Sequence, residues 1–183
     1  MISNVNIKIE KKVPKTVNII FIHGLESSGQ GFKAQFLKNQ IPEIITPSFM
    51  EYLPGLSYKK LLKKRMKQLV EILEKKDSWI IIGSSFGGLM AVLYTCLNPS
   101  KVNRLILLAP FLATSELDPA KFSELPLSIP VIIYHARYDK IVSMKRSRAR
   151  ALQLFSNITY HIIEDDNHKL QSTVQRIDWK DLI

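Results

Sequence analysis

Residues 79–88 read Trp-Ile-Ile-Ile-Gly-Ser-Ser-Phe-Gly-Gly, so that an apolar run passes directly into a segment rich in small residues. Its first four residues are apolar and mostly β-branched, which is typical of a buried strand. An apolar run follows at 89–97 and ends just before Pro99, which predicts a helix. The stretch therefore predicts a strand, a tight turn and a helix in immediate succession.

The turn at 83–87 matches the pattern Gly-x-Ser-x-Gly. In this pattern a sharp strand-to-helix turn holds the central serine in a strained and exposed position, and glycine tolerates the tight backbone. We therefore predict that Ser85 is a nucleophile. The alternative is that Ser84 or Ser85 only caps the helix through its hydroxyl group.

On both sides of this turn, β-branched runs alternate with longer amphipathic segments. Helical spacing of apolar residues is clearest at 58–76 and recurs at 144–155. Such alternation predicts an α/β fold, a three-layer α/β/α sandwich with a mostly parallel sheet of about six strands. The pattern also allows an extra edge strand near residues 4–11. The predicted strands are 17–22, 43–47, 79–82, 104–108, 131–134 and 158–163.

One long connection, residues 110–130, separates two of the predicted strands. Loops of this length in a compact domain are usually functional or partly helical. We predict a single domain over residues 1–183, with 110–130 as a short cap or lid-like insertion. Phe111 and Leu112, together with His23 and Gly24 after the first strand, are candidate residues of a substrate pocket.

A serine hydroxyl needs a base to take its proton and a third group to orient that base. Of the four histidines, only His168 lies in a polar loop that follows both a strand and the candidate acid. Asp139 follows the strand at 131–134 and is that candidate acid. Asp165 and Asp166 compete for the role, but their closeness to His168 in sequence favours shaping its turn. The alternative for His168 is a solvent-exposed loop histidine.

Two backbone N–H groups are candidates for stabilising the negative charge that develops on an attacked carbonyl. One is the N–H of Phe86, the residue after the predicted nucleophile. The second should come from the loop after the first strand, where His23-Gly24-Leu25 lets the Leu25 N–H turn toward Ser85. His23 is interpreted as structural support for this loop and not as a base.

The charge balance indicates which partners the chain attracts. It has 26 Lys+Arg against 16 Asp+Glu, a formal net charge of +10. Such a surface attracts polyanions. Nucleic acid is not the expected partner, because no recognised motif is present and aromatic residues are not interleaved with the basic runs. A solvated basic surface is the simpler interpretation, also for the basic face of the helix at 58–76, Arg65 included.

The sequence carries no signal for membrane insertion. No stretch reaches the roughly 20 apolar residues of a spanning helix, and the N-terminus lacks an apolar run of signal-peptide length. The single cysteine, Cys96, lies in an apolar run and is interpreted as inert. We therefore predict a soluble cytoplasmic protein.

Four groups of residues together resemble the α/β-hydrolase superfamily over almost the whole chain. They are the loop at 23–28, the turn at 83–88, the strand leading to Asp139, and His168. The short length, the small cap and the His-Gly-x-x-Ser-Ser loop are similar to small bacterial esterases of the YqiA type. One departure is Ala136, where relatives often carry glycine.

The resemblance implies hydrolysis of carboxylic esters or thioesters by a Ser-His-Asp triad through an acyl-enzyme, with no metal ion and no organic cofactor. The expected substrate is a small molecule or an acyl ester. Acyl transfer, amide cleavage or carbon–carbon bond hydrolysis would share the same residues, and neither the acyl chain length nor the oligomeric state follows from the sequence. The alternative is a catalytically silent α/β-hydrolase-fold binding module that uses its basic surface for an anionic partner.

Overall fold

A single parallel sheet organises residues 17–183, which the computed structural model describes. Its five strands are all parallel and hydrogen-bond to one another in chain order. This confirms the predicted α/β class and parallel sheet. The extra edge strand considered near residues 4–11 lies outside the described residues. The strands are β1 (Asn18–Ile22), β2 (Trp79–Ser84), β3 (Val102–Leu108), β4 (Val131–Ala136) and β5 (Ile158–Ile163).

The second predicted strand is reduced to one bridging residue, so the sheet has five strands and not six. Ile45 forms a parallel bridge with Ile20 at the outer edge of β1. Its N–H donates to the Ile19 carbonyl at 3.0 Å, and its carbonyl accepts from the Phe21 N–H at 2.9 Å. Pro47 follows two residues later and has no N–H to donate, so regular pairing does not continue.

Helices cover both faces of the sheet and give the predicted three-layer sandwich. They are α1 (Phe32–Gln40), α2 (Tyr58–Leu73), α3 (Phe86–Leu97), α4 (Met144–Leu154) and α5 (Gln171–Arg176). Helices α2, α3 and α4 bury apolar side chains on one face, and α1 and α5 do so on the other. Burial on both faces explains why the inner strand β2 is continuously apolar over residues 79–82. Within residues 17–183, no helix is long and apolar enough to cross a membrane.

The basic face of α2 is solvated except at one residue. Lys63 and Lys64 are exposed, as predicted, but Arg65 is fully buried. Placing Arg65 on the solvated face was therefore wrong. The reason is its helical position: Leu61 and Leu69 lie four residues before and after it, so all three share the buried face.

Residues 110–130 pack against the body of the protein through apolar side chains. Leu112 and Leu117 are fully buried in the core that α2 and α3 share. Phe111 is half-buried and meets the Tyr58 ring edge-on, with the ring centroids 6.3 Å apart. The segment contains two short 3-10 turns, Ser115–Leu117 and Pro119–Lys121. Its first half is thus anchored to the core.

Candidate active site

The predicted site residues meet at the carboxyl ends of the strands. Ser85 follows β2, Asp139 follows β4 and His168 follows β5. Parallel strands all end at the same edge of a sheet, which brings the loops that follow them together. A cleft of about 850 Å³ opens at this edge, and Gly24, Leu25, Ser85 and His168 are among the residues that line it. Its volume is in the range of small-molecule sites.

Ser85 lies in a strained turn between β2 and α3. Its φ of 53° and ψ of −114° fall in a region that non-glycine residues rarely adopt. Its N–H donates to the Leu108 carbonyl at 2.9 Å, which ties the turn to the end of β3. Gly87 lets the start of α3 approach the end of β1 closely, because a Cβ at this position would collide with the Ile22 carbonyl oxygen. The turn therefore holds the serine side chain at the cleft.

Three side chains form a continuous hydrogen-bonded chain. His168 Nε2 lies 3.0 Å from Ser85 Oγ, and His168 Nδ1 lies 2.7 Å from Asp139 Oδ2. An ionised carboxylate only accepts hydrogen bonds, so Nδ1 carries a proton and Nε2 is left to accept the proton of the serine. The geometry therefore suits proton transfer from Ser85 to His168.

The competing carboxylates Asp165 and Asp166 are turned away from His168. Asp165 pairs with Arg176 at 2.7 Å. One oxygen of Asp166 accepts hydrogen bonds from Ser172 and Thr173 at the start of α5. Both residues therefore stabilise the turn into α5, and the carboxylate that contacts His168 is that of Asp139.

The Asp139 side chain is fully buried, yet its carboxylate is surrounded by donors. One oxygen accepts from the N–H groups of Ile141 and Val142, both at 2.8 Å, and the other from His168 and from His135 Nε2 at 3.2 Å. Burial by itself raises the pKa of Asp139. The hydrogen bonds from His135, His168 and the backbone outweigh burial and hold that pKa well below its usual range. Asp139 is therefore ionised at neutral pH.

His135 is a second histidine on this carboxylate, and it was not predicted as a site residue. Its Nε2 faces Asp139 and the Val142 carbonyl, which both accept, so Nε2 carries a proton. The Tyr160 hydroxyl lies 3.0 Å from the other ring nitrogen and can donate to it. Burial raises the pKa of Tyr160 well above its usual value, so that hydroxyl keeps its proton.

Two buried basic residues hold the loop after β1. His23 Nδ1 donates to the Gly24 carbonyl at 2.8 Å, and Nε2 accepts from the Phe49 N–H at 3.0 Å, so the ring is neutral. Burial lowers the pKa of His23, which agrees with a neutral ring. Arg65 donates to the carbonyls of Gly24 at 3.2 Å and Leu25 at 2.9 Å. The loop is thus tied from both sides.

These donors set the direction of one peptide group. The Gly24 carbonyl and the Leu25 N–H belong to the same planar peptide and point in opposite directions, so fixing one fixes the other. Within residues 17–183, the N–H groups of Leu25 and Phe86 donate no hydrogen bond. For Phe86 the reason is its position in the first turn of α3. A Cβ on Gly24 would lie 3.5 Å from the Ser85 Cβ, so this loop adjoins the serine.

Of the four predicted pocket residues, only Gly24 lines the cleft. His23 and Leu112 are fully buried, so neither side chain reaches it. Phe111 packs on the core, and its N–H donates to the Ser85 carbonyl at 3.1 Å. The start of the long connection therefore supports the serine turn through its backbone, and residues 110–130 do not line the cleft.

Arg65, which holds the loop after β1, and several residues that line the cleft were not predicted from the sequence as site residues. Arg65 could have been found, because its spacing to Leu61 and Leu69 marks the buried face of α2. The others come from α1 and from the loops after β4 and β5, so no local spacing connects them. They are Phe32, Lys33, Tyr138, Lys140, Ile141 and Lys169.

Comparisons with known proteins agree with this architecture. A family model described as an alpha/beta hydrolase domain matches residues 56–179, more than half of the chain. The match includes Ser85, Asp139 and His168. No curated protein matches the chain.

Solved structures with a similar fold include an esterase. Alpha/beta hydrolase domain-containing protein 10 from mouse is 19% identical with a TM-score of 0.75, covering 92% of this chain and 90% of that one. Est1E from Butyrivibrio proteoclasticus, solved with ferulic acid, is 16% identical with a TM-score of 0.69 and coverages of 92% and 89%. The esterase EaEST from Exiguobacterium antarcticum is 15% identical with a TM-score of 0.70 and coverages of 93% and 91%. On the family match, the chain belongs to the α/β-hydrolase domain family.

Proposed function

We propose that this chain is a serine hydrolase that cleaves carboxylic esters or thioesters through an acyl-enzyme on Ser85. The observation that carries the proposal is the unbroken hydrogen-bonded chain from Ser85 through His168 to Asp139 at the wall of an open cleft. The esterase EaEST, a solved structure of the same fold, supports this reaction class.

In the first half-reaction, Ser85 Oγ attacks the substrate carbonyl carbon while His168 Nε2 takes its proton. Asp139 holds the Nδ1 proton of His168 and stabilises the resulting imidazolium. The N–H groups of Leu25 and Phe86 stabilise the oxyanion of the tetrahedral intermediate. Collapse of the intermediate expels the alcohol or thiol, which takes the proton from His168 and leaves the acyl group on Ser85.

Water completes the cycle in the second half-reaction. His168 takes a proton from the water, whose oxygen attacks the acyl carbon. The second tetrahedral intermediate releases the carboxylic acid, and Ser85 recovers its proton from His168. Ester and water therefore give acid and alcohol, and no other reactant is consumed.

The test is covalent labelling with a fluorophosphonate, combined with hydrolysis of p-nitrophenyl esters from acetate to palmitate. We expect labelling of the wild type, none of Ser85→Ala, and a loss of turnover on the order of 10⁴-fold or more in that variant. Ser100→Ala is the control, because Ser100 is an exposed serine just before β3, at the opposite edge of the sheet. Unchanged turnover by Ser85→Ala, or a folded wild type with neither labelling nor turnover, would overturn the proposal.

A further inference from the structure

The cleft carries more positive than negative side chains beside Ser85. Lys33, Lys140 and Lys169 line it, against Glu26 as the acidic side chain among the lining residues described. Lys33 lies on α1, Lys140 follows β4 and Lys169 follows β5. A row of lysines on the solvated face of one helix needs no ligand to explain it. Here three cations from separate segments of the chain line one cleft.

Lys33 stands apart from the other two lysines. It is half-buried, whereas Lys140 and Lys169 are exposed. Among residues 17–183 it forms no ion pair and donates no hydrogen bond. Burial lowers the pKa of Lys33 to about 8; nearby Asp166 opposes this shift and Lys169 adds to it. Lys33 is thus a partly dehydrated ammonium without a bonded counter-charge.

The surroundings of Lys33 also favour an anion. Lys33 lies in the first turn of α1, whose N-cap residue Gly31 supplies no side-chain hydrogen bond. The positive end of the helix dipole therefore adds to the charge of the lysine. Exposed apolar side chains, Phe32 and Ile141, line the same cleft and suit the uncharged part of a ligand.

We propose that this cleft takes esters or thioesters that bear an anionic group, a carboxylate or a phosphate, and that Lys33 is the main contact of that group. Lys140 and Lys169 add to the attraction from the rim. The inference rests on the proposed hydrolase function, because Ser85 lines the same cleft. A bound anion would give Lys33 the charge-assisted hydrogen bond that it otherwise lacks.

Matched substrate pairs test the proposal and locate the anion. For the acyl side, the mono-4-nitrophenyl ester of adipic acid is compared with 4-nitrophenyl hexanoate, which has the same acyl length without the carboxylate. For the leaving-group side, 4-acetoxybenzoate is compared with 4-acetoxybenzamide. The pair that shows the effect identifies the side of the substrate that Lys33 contacts.

Lys33→Gln is the decisive variant. We expect its KM for the anionic member of one pair to rise about 10-fold, with kcat and the neutral member nearly unchanged, since a hydrogen bond to a charged group is lost. Comparing one substrate between two proteins removes differences in intrinsic reactivity. Lys38→Gln is the matched control, because Lys38 is a lysine of the same helix that does not line the cleft.

The pH dependence gives a second readout. The wild-type KM for the anionic member should rise as the pH passes through about 8, because Lys33 loses its proton there, and the neutral member should show no such rise. Asp166, Lys169, Lys140 and Glu26 are the other charged groups of this region, and Lys33→Gln should abolish the rise if Lys33 causes it.

The outcomes separate this inference from the proposed function. Suppose that hydrolysis of neutral esters depends on Ser85, but that Lys33→Gln has the wild-type KM and kcat for both members of each pair. The proposed anion site is then wrong, and the proposed hydrolase function is still supported. If the folded wild type hydrolyses no ester and is not labelled by a fluorophosphonate, the proposed function fails, and this inference fails with it.

Discussion

Two buried charges lie near Ser85, and the protein compensates them in different ways. Asp139 and Arg65 both have fully buried side chains. The Asp139 carboxylate accepts hydrogen bonds from two backbone N–H groups and two imidazoles. The Arg65 guanidinium donates to three backbone carbonyls and, among the described residues, has no acidic partner.

This difference indicates which of the two charges takes part in the proposed reaction. When His168 takes the serine proton it becomes an imidazolium, so Asp139 gains a full counter-charge only at that moment. An interaction that strengthens in the transition state accelerates the chemical step. The partners of Arg65 are the same throughout, so Arg65 acts by holding a peptide group in place. Removal of the Asp139 charge should therefore cost more activity than a change at Arg65.

The largest expected effect is that of Asp139→Asn. The amide has the shape of the carboxylate, but its NH₂ group can donate to His168 Nδ1 and so place the proton on Nε2, where it blocks acceptance of the serine proton. We expect kcat on p-nitrophenyl butyrate to fall about 10⁴-fold with little change in KM.

Asp165→Asn is the control for this variant. Asp165 lies three residues before His168 in the sequence, and its surface carboxylate pairs with Arg176. It should keep full activity. A kcat of Asp139→Asn within 10-fold of the wild type would show that the charge of Asp139 does not stabilise the His168 imidazolium.

The three residues of the proposed triad could be predicted from the sequence because each lies in the turn or loop that follows a strand. Ser85, Asp139 and His168 stand after apolar runs, and parallel strands bring such positions to one edge. The strand at 43–47 was overestimated, since β-branched composition does not tell how many residues find a partner. One residue, Ile45, pairs.

Contacts between distant segments could not be predicted from local patterns. Tyr160 reaches His135 because β4 and β5 pair with Ile133 opposite Tyr160, which places His135 and Tyr160 diagonally on one face. That register is set by the packed sheet and not by either strand alone. Arg65 is a different case. Its spacing to Leu61 and Leu69 was visible in the sequence, but its charge favoured the incorrect prediction that it lies on the solvated face of α2.

Arg65→Lys tests the other half of the comparison. Lysine keeps the positive charge, but a single ammonium cannot reproduce the fork that contacts three carbonyls. The Leu25 N–H then loses its fixed direction. We expect kcat to fall about 10- to 100-fold, less than the loss of a whole triad member, while KM changes little.

The measurement is kcat and KM of the folded variant, with thermal unfolding recorded in parallel. Lys64→Gln is the control, because Lys64 is the exposed neighbour of Arg65 on α2. A lower unfolding temperature with unchanged kcat would reduce Arg65 to a structural role and would break the link between this buried cation and the oxyanion.

Tyr160→Phe should have the smallest effect. It removes the hydroxyl that lies 3.0 Å from His135 Nδ1 and keeps the ring, which lies nearly parallel to the imidazole. Two residues, His135 and Asp139, stand between this hydroxyl and His168, so we expect kcat to fall only a few-fold, as for one neutral hydrogen bond of about 1 kcal/mol.

Tyr134→Phe is the matched control for that variant, since Tyr134 stacks on a different histidine, His161, at 4.6 Å. A loss of stability without a loss of kcat would mean that the charge used in the reaction is set at Asp139 and that Tyr160 only fills the core. A loss as large as that of Asp139→Asn would mean that His135 governs the charge of Asp139. His135 would then belong to the proposed catalytic group together with Ser85, His168 and Asp139, whereas Arg65 would act only through the backbone of the loop after β1.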